Sequence, residues 1–314
     1  MQHAKQFLTS EEIRPLARRS DLMGLWLVAH CWGVIALAIG LFALWPNPAT
    51  ALLAVVLIGS RQLGLAILMH EAAHNALFAN RRMNDFVGTW LCGWPIMADL
   101  AAYRHYHLSH HRHTQTDRDP DLKLSEKFPT THASMRRKFV RDLTGQTGLK
   151  QLIGQILMFV RLAGDDDAIE AAKGDAAQAF KSNTIGYAFP VFFGIALIIS
   201  LIGEWWWGFA FWVLPYLTWF QFVLRVRNIA EHGAVERSDN PLQNVRTTYA
   251  GPLARALVAP YWVNYHLEHH MVMHVPCWRL PQMHKLLLKR GLGEQMRIAP
   301  GYMGAMREAG WRSV

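Results

Sequence analysis

The segment HYHLSHHRHTQTDRDPD, residues 105–121, places five histidines within nine residues, His105 to His113. Neutral imidazole is the commonest metal ligand among side chains and also a proton carrier near neutral pH. Three further groups share the pattern: His70-Glu71-Ala72-Ala73-His74, the single His232 that closes Asn228-Ile-Ala-Glu-His232, and His266-Leu-Glu-His269-His270. Residues three and four apart lie on one face of a helix. An HxxxH pair therefore aims two imidazoles at one place, and the HxxHH of His107, His110 and His111 aims three. A lone histidine on such a face is usually a satisfied core or surface residue; four groups at helical spacing are not explained that way.

Two, three, one and three imidazoles make nine candidate ligands: His70, His74, His107, His110, His111, His232, His266, His269 and His270. A structural zinc site needs four ligands and favours thiolates. The three cysteines, Cys31, Cys92 and Cys277, are isolated, with no CxxC pair, and read as reduced structural thiols. Two metal ions, each with several nitrogens and open positions for oxygen, use nine imidazoles far better than one zinc. Non-haem iron suits imidazole with open coordination, and a pair of irons with dioxygen supplies an oxidant able to attack an unactivated C–H bond.

The elements that must position these residues are apolar. Hydrophobic residues make up 52% of the 314-residue chain, and tryptophan occurs 13 times. Charge-free or nearly charge-free blocks run over 23–45, 50–69, 182–203 and 205–224. Crossing a ~30 Å hydrocarbon core takes ~20 helical residues, so each block is about one span long. The links at 46–49 and 203–204 are short, which predicts two antiparallel hairpins. The expected architecture is all-α and integral to a membrane, with four transmembrane helices and a helical cap over 70–181 and 225–314. The N-terminus lacks the apolar core of a signal peptide; Thr9-Ser10-Glu11-Glu12 predicts a capping box opening an amphipathic surface helix.

A formal charge of +9 raises the question of nucleic acid, but that partner expects a basic, largely polar surface. Here the basic residues flank apolar blocks: four precede Met23, fifteen lie between His70 and Lys181, and twelve follow from Arg225. Positive-inside bias places both termini, the central segment and all four histidine groups in the cytoplasm. A fourth helix running from Trp205 to His232 would be ~42 Å long and would carry His232 about 12 Å beyond the bilayer core. The stretch 85–103 is apolar but broken by Gly93 and Pro95. Lying between two cytoplasmic histidine groups, it predicts a re-entrant or interfacial hairpin, with Trp90 and Trp94 at the headgroup layer. Trp205-Trp206-Trp207 suits an interfacial anchor on the far side.

With these residues in view, the chain resembles the integral-membrane fatty acyl desaturases and their hydroxylase relatives. The resemblance runs from the first span through Gln282-Met283-His284, and rests on the boxes at His70/His74, His107/His110/His111 and His266/His269/His270. Asn228 and His232 look like the family's additional N-xxx-H pair, in which the asparagine contacts metal through water. The resemblance implies two irons, dioxygen as co-substrate, a stem of four spans, a cytoplasmic cap holding the metals, and an acyl chain entering beneath it. Hydroxylation, carotenoid ring oxidation and alkene-forming decarboxylation are the alternative outcomes within the superfamily.

Several residues carry weaker expectations. His105, His113, Asp117, Asp119, Asp121, Glu231, Glu268 and His274 are placed to hydrogen-bond the outer nitrogens of ligand imidazoles. His284 has the same status. The acidic run 117–121 reads equally well as a solvated loop punctuated by Pro120, and Asp165-Asp166-Asp167 as a solvated helix start. Arg61 stands inside a span without an assigned role. His70-Glu71-Ala72-Ala73-His74 also matches the zinc-protease motif HExxH, a rival that leaves the other groups unexplained. A metal transporter would need polar residues deep within the spans, where His30 is the one histidine. The resulting expectation is an oxygen-dependent oxidoreductase that forms a double bond in a lipid acyl chain. Dioxygen takes four electrons, two from the substrate. The chain carries no haem-binding or iron–sulfur segment, so a separate ferredoxin, rubredoxin or cytochrome b5-like carrier is expected to dock on the basic cap.

Overall fold

The computed structural model describes residues 6–164 and 185–310; the acidic triplet at 165–167 lies outside them. The expected capping box is present. The Thr9 hydroxyl accepts the Glu12 N–H, and the Glu12 carboxylate accepts the Thr9 N–H at 2.8 Å, opening α1 (Ser10–Leu16). Helix α2 (Asp21–Leu44) begins behind Ser20, whose hydroxyl accepts from the Met23 N–H. Helix α3 (Pro48–Ala73) begins behind Asn47, with Pro48 in the first turn, where a missing N–H costs nothing. The two pack as the tight hairpin that Pro46-Asn47-Pro48 predicts. The last sixteen residues of α3, Ile58 to Ala73, include one unbroken buried run from Ile58 to Leu65 and another from Ile67 to Ala73. That helix is the axis of the molecule.

The segment 85–103 folds as a hairpin. Helix α4 (Arg81–Val87) runs into a π-helical stretch, Gly88–Gly93, and a 3-10 turn, Trp94–Ile96. Met97, left-handed at φ 61°, reverses the chain, and the Asp99 carboxylate caps α5 (Leu100–His113) by accepting the Ala102 N–H at 2.9 Å. The hairpin lies directly on α3: a Cβ built on Gly88 would stand 2.4 Å from the Ala72 Cβ. Only a residue without a side chain lets these two backbones meet.

After α6 (Leu122–Ser125), α7 (His132–Leu143) and α8 (Gln146–Gly164), the apolar α9 (Ile185–Ile202) leads into a turn containing Trp205 and Trp206. The straight 42 Å helix expected beyond it is not formed. A π-helical stretch, Phe209–Val213, precedes α10 (Leu214–Leu217), Thr218 leaves helical geometry at φ −116°, ψ −87°, and α11 (Trp219–His232) resumes. Pro215 supplies the physical reason: it has no N–H, and its ring crowds the carbonyl one turn earlier, which a widened turn relieves.

Among the described residues, three stretches are long and apolar enough to cross a membrane: α2, α3 and the bent run Phe209–His232. The block 182–203 begins outside the described residues, and its described part is apolar but shorter. The remainder is compact and helical, apart from β1 (Thr247–Thr248), which pairs in parallel with β2 (Ile298–Ala299). Between and after these strands lie α12 (Pro252–Leu257), α13 (His266–Met271), α14 (Leu280–Lys289) and α15 (Tyr302–Gly310). Arg246, fully buried, donates to the Ala230 carbonyl at 3.0 Å and to Glu308, satisfying the frayed end of α11 and tying it to α15.

Candidate metal centre

The C-terminal ends of α3 and α11 meet α5 and α13, and the nine predicted imidazoles come together there. His70 sits in the last turn of α3 and His74 caps it. With His107 and His111 of α5 and His269 of α13 they form one group of five whose nitrogens lie within 4.8 Å of one another. His232 joins two further triples, one with His110 and His270 and one with His266 and Glu231. The nine therefore divide into five and four.

Within these groups the nitrogens crowd. His111 Nε2 stands 3.0 Å from both His107 Nε2 and His269 Nε2. His266 Nε2 stands 2.8 Å from His232 Nε2 and 3.0 Å from His270 Nε2. Metal–nitrogen bonds of about 2.1 Å at right angles put two ligand nitrogens about 3.0 Å apart. Both ring nitrogens of His70 and His74, and Nε2 of His110, are buried without a hydrogen-bond partner. Leaving so many buried polar atoms unpaired is costly. A cation shared among them removes that cost, so the donor set fits two transition-metal ions.

Burial, and after it the neighbouring imidazoles, push His107, His111, His266, His269 and His270 well below the usual histidine range. Burial, with Arg104 behind it, lowers His74 to about 3. These rings are neutral at physiological pH, the form that donates to metal.

The supporting residues separate clearly. His110 Nδ1 lies 2.8 Å from the buried Asp119 carboxylate, which also accepts the N–H groups of Gln115 and Asp121 at 2.8 Å each. Burial raises the Asp119 carboxyl, but the His110 contact and these N–H groups outweigh it and hold it below the usual range. Asp121 is 3.7 Å from the same nitrogen and accepts from the Tyr106 hydroxyl. Asp117 is exposed and pairs with Arg237, away from the rings. Glu231 lies 3.6 Å from His266 Nε2 and holds Arg227 at 2.7 Å. Glu268 touches no ligand ring: it takes His284 Nδ1 and the Thr247 hydroxyl, each at 2.5 Å, and so anchors α13 to β1 and α14. His105 is exposed; His113, His274 and Asn228 are half-buried, Asn228 one turn before His232, and none of the four belongs to either group.

Glu71 of the HExxH motif accepts the Cys277 N–H at 2.8 Å, 3.5 Å from His70 Nδ1, and so serves to fix the chain near α14. Other participants carried weak signals. Tyr103, four residues before His107, stacks on its ring at 5.0 Å. Thr114, four residues after His110, brings its hydroxyl 3.3 Å from His270 Nδ1. Arg104 donates to the carbonyls of Ala72 and Ala73, closing the end of α3 between its two histidines.

Residues 45–298, which include all nine imidazoles, match the fatty acid desaturase family. The chain belongs to that family. It is 27% identical to a dihydrorhizobitoxine desaturase of Bradyrhizobium elkanii, over 88% of this chain and 78% of that protein. It is 24% identical to a β-carotene ketolase of Paracoccus sp. (strain PC1), over 91% of this chain and 98% of the ketolase. A family of lipid-modifying membrane oxidoreductases accords with the histidine groups and the apolar helices.

Proposed function

We propose that this desaturase-family protein is a multi-pass membrane oxidoreductase that uses two non-haem irons and dioxygen to form a double bond in a lipid acyl chain. The observation that carries this reading is the division of nine imidazoles, seven of them buried and His111 and His270 half-buried, into groups of five and four with 2.8–3.0 Å nitrogen contacts. His70, His74, His107, His111 and His269 would hold one iron; His110, His232, His266 and His270 would hold the other, with Asn228 reaching it through water. The irons, when bound, supply dioxygen activation and hydrogen abstraction from carbon.

The chain's own contribution is order. Burial keeps the rings neutral. The Asp119 carboxylate accepts the Nδ1–H of His110, which fixes the tautomer and turns Nε2 inward. Tyr103 stacks on His107 and limits its rotation, and the Glu268 anchor holds the short α13 in register. Balance requires two electrons and two protons from outside for each two hydrogens removed from the substrate, with two waters as product. A reduced carrier of the ferredoxin, rubredoxin or cytochrome b5 class, docking on a cytoplasmic cap, would provide the electrons. Both termini and the histidine groups are assigned to the cytoplasmic side by the distribution of lysine and arginine.

Ring-ketone formation on a carotenoid is the second reading, favoured by the near-full-length match to a β-carotene ketolase. Expressing the protein in cells that make both acyl lipids and carotenoids, then profiling extracts by mass spectrometry, separates them. A product two mass units lighter supports desaturation. A carotenoid fourteen units heavier replaces it with ketone formation, and loss of neither product class on His110→Ala substitution refutes both.

A further inference from the structure

The arginine inside α3 has an environment of its own. Arg61 is 4% exposed, and among the described residues no carboxylate pairs with it. One guanidinium nitrogen donates to the Ala256 carbonyl at 2.5 Å, the guanidinium carbon stands 5.7 Å above the Tyr261 ring, and Nε is buried without a partner. It lines a cavity of about 370 Å³ between α2, α3 and the segment that follows α12. A second guanidinium, Arg255, lines the same cavity and likewise has no carboxylate partner among the described residues. His30 is there too, its Nδ1 3.2 Å from the Tyr261 hydroxyl.

Two further features mark the cavity as built rather than incidental. Tyr261 and Trp262, both lining it, adopt left-handed backbone angles, φ 55° and 56°. Non-glycine residues held in that region are strained, and such strain gathers at ligand clamps. Tyr261 is held in place because Gly64 leaves room: a Cβ there would meet its ring at 2.9 Å. The rest of the lining is largely apolar, with Leu27, Val34, Leu57 and Trp26, the last 62% exposed.

An unpaired cation within an apolar helix is costly, and in known spans it marks a ligand or a partner. Arg61, buried, and Arg255, exposed, line one cavity with otherwise largely apolar walls and together match one chemistry, an oxyanion carried on a hydrophobic chain. We propose that this cavity binds the head of an anionic amphiphile, with Arg61 and Arg255 contacting the oxyanion, His30 and Tyr261 offering hydrogen bonds, and the chain lying across Trp26. The site is separate from the histidine groups and does not depend on their metal.

The test uses the full-length, iron-loaded protein in a neutral maltoside detergent, with bound molecules counted by native mass spectrometry. Phosphatidylglycerol, palmitate, phosphatidylcholine and inorganic phosphate are added in separate samples. The expected result is one retained anionic amphiphile, with phosphatidylglycerol indicating a bilayer lipid and palmitate a free acid. Arg255→Gln, at an exposed position, is expected to weaken retention by ~10-fold, as loss of a charge-assisted hydrogen bond does. Arg61→Gln is expected to weaken it further. Equal retention of phosphatidylcholine, retention of inorganic phosphate only, or unchanged retention in Arg255→Gln would each overturn the proposal. Iron content and turnover are read from the same samples, so a failure of the oxidoreductase reading shows separately.

Discussion

His110 Nδ1 and Asp119 Oδ1 lie 2.8 Å apart with both side chains almost wholly removed from solvent. Asp119→Asn keeps the shape but replaces an obligate acceptor with a group that can also donate, so the ring nitrogen facing the other imidazoles is no longer fixed. Metal affinity at the four-imidazole group is expected to fall ~10- to 100-fold. Asp117→Asn, at the exposed neighbour that pairs with Arg237, is expected to change nothing. Iron retained per chain during titration with a chelator checks both; equal retention in the two variants would remove Asp119 from its assigned role.

Removing metal should loosen the protein without dissolving its fold. Ligand present at 100- to 1,000-fold above its dissociation constant stabilises by about 2.7 to 4.1 kcal/mol per site. Chelation is therefore expected to lower Tm while the helical circular dichroism persists. His269→Ala removes one nitrogen of five, from a ring 3.0 Å from His111, and is expected to lose iron in the same experiment. A Tm indifferent to chelation would show that no resident metal contributes.

The metal-free protein should be acid-sensitive, and the sign follows from His74. Its folded value is lowered to about 3, chiefly by burial, from an unfolded value near 6.5. Between those two values the unfolded chain holds a proton that the folded chain does not, so stability rises with pH. It is fully present above about pH 6.5 and declines as pH falls toward 3, by up to ~1.4 kcal/mol per pH unit for this one ring. Denaturant midpoints of the metal-free protein at pH 7.5, 6 and 5 measure it, and a midpoint that stays level or rises on acidification contradicts it.

Thr247→Val is expected to destabilise the protein by about 1–3 kcal/mol, because Glu268 loses a buried donor at 2.5 Å and the Leu267 N–H loses its acceptor at 3.3 Å. The shift should appear as a lower Tm together with reduced iron retention, since the same contact holds α13 beneath its three histidines. Unchanged values of both would assign that role to the His284 contact alone.

The histidines were legible because helical spacing is written directly into sequence: His107 and His111, or His266 and His270, must share a face wherever those stretches are helical. Their division into five and four was not, since it depends on how α3, α5, α11 and α13 cross. The acidic run after His113 shows the same limit. Asp117, Asp119 and Asp121 are alike in sequence, and only the turn that buries one and exposes another separates them. Pro215 was visible, yet whether a helix answers proline by ending, kinking or widening depends on its neighbours; here it widened, and Thr218 broke it. The partners of Arg61 come from about 195 residues away along the chain, beyond any local pattern.

Helix α13 is only six residues long, yet it sends His269 to one group and His266 and His270 to the other. Helix α5 does the same, with His107 and His111 on one side and His110 on the other. One turn of each helix thus acts as a caliper between the two centres. A shift in either would alter both groups together, so a metal bound by one group would favour the geometry needed by the other, and half-filled protein should be scarce.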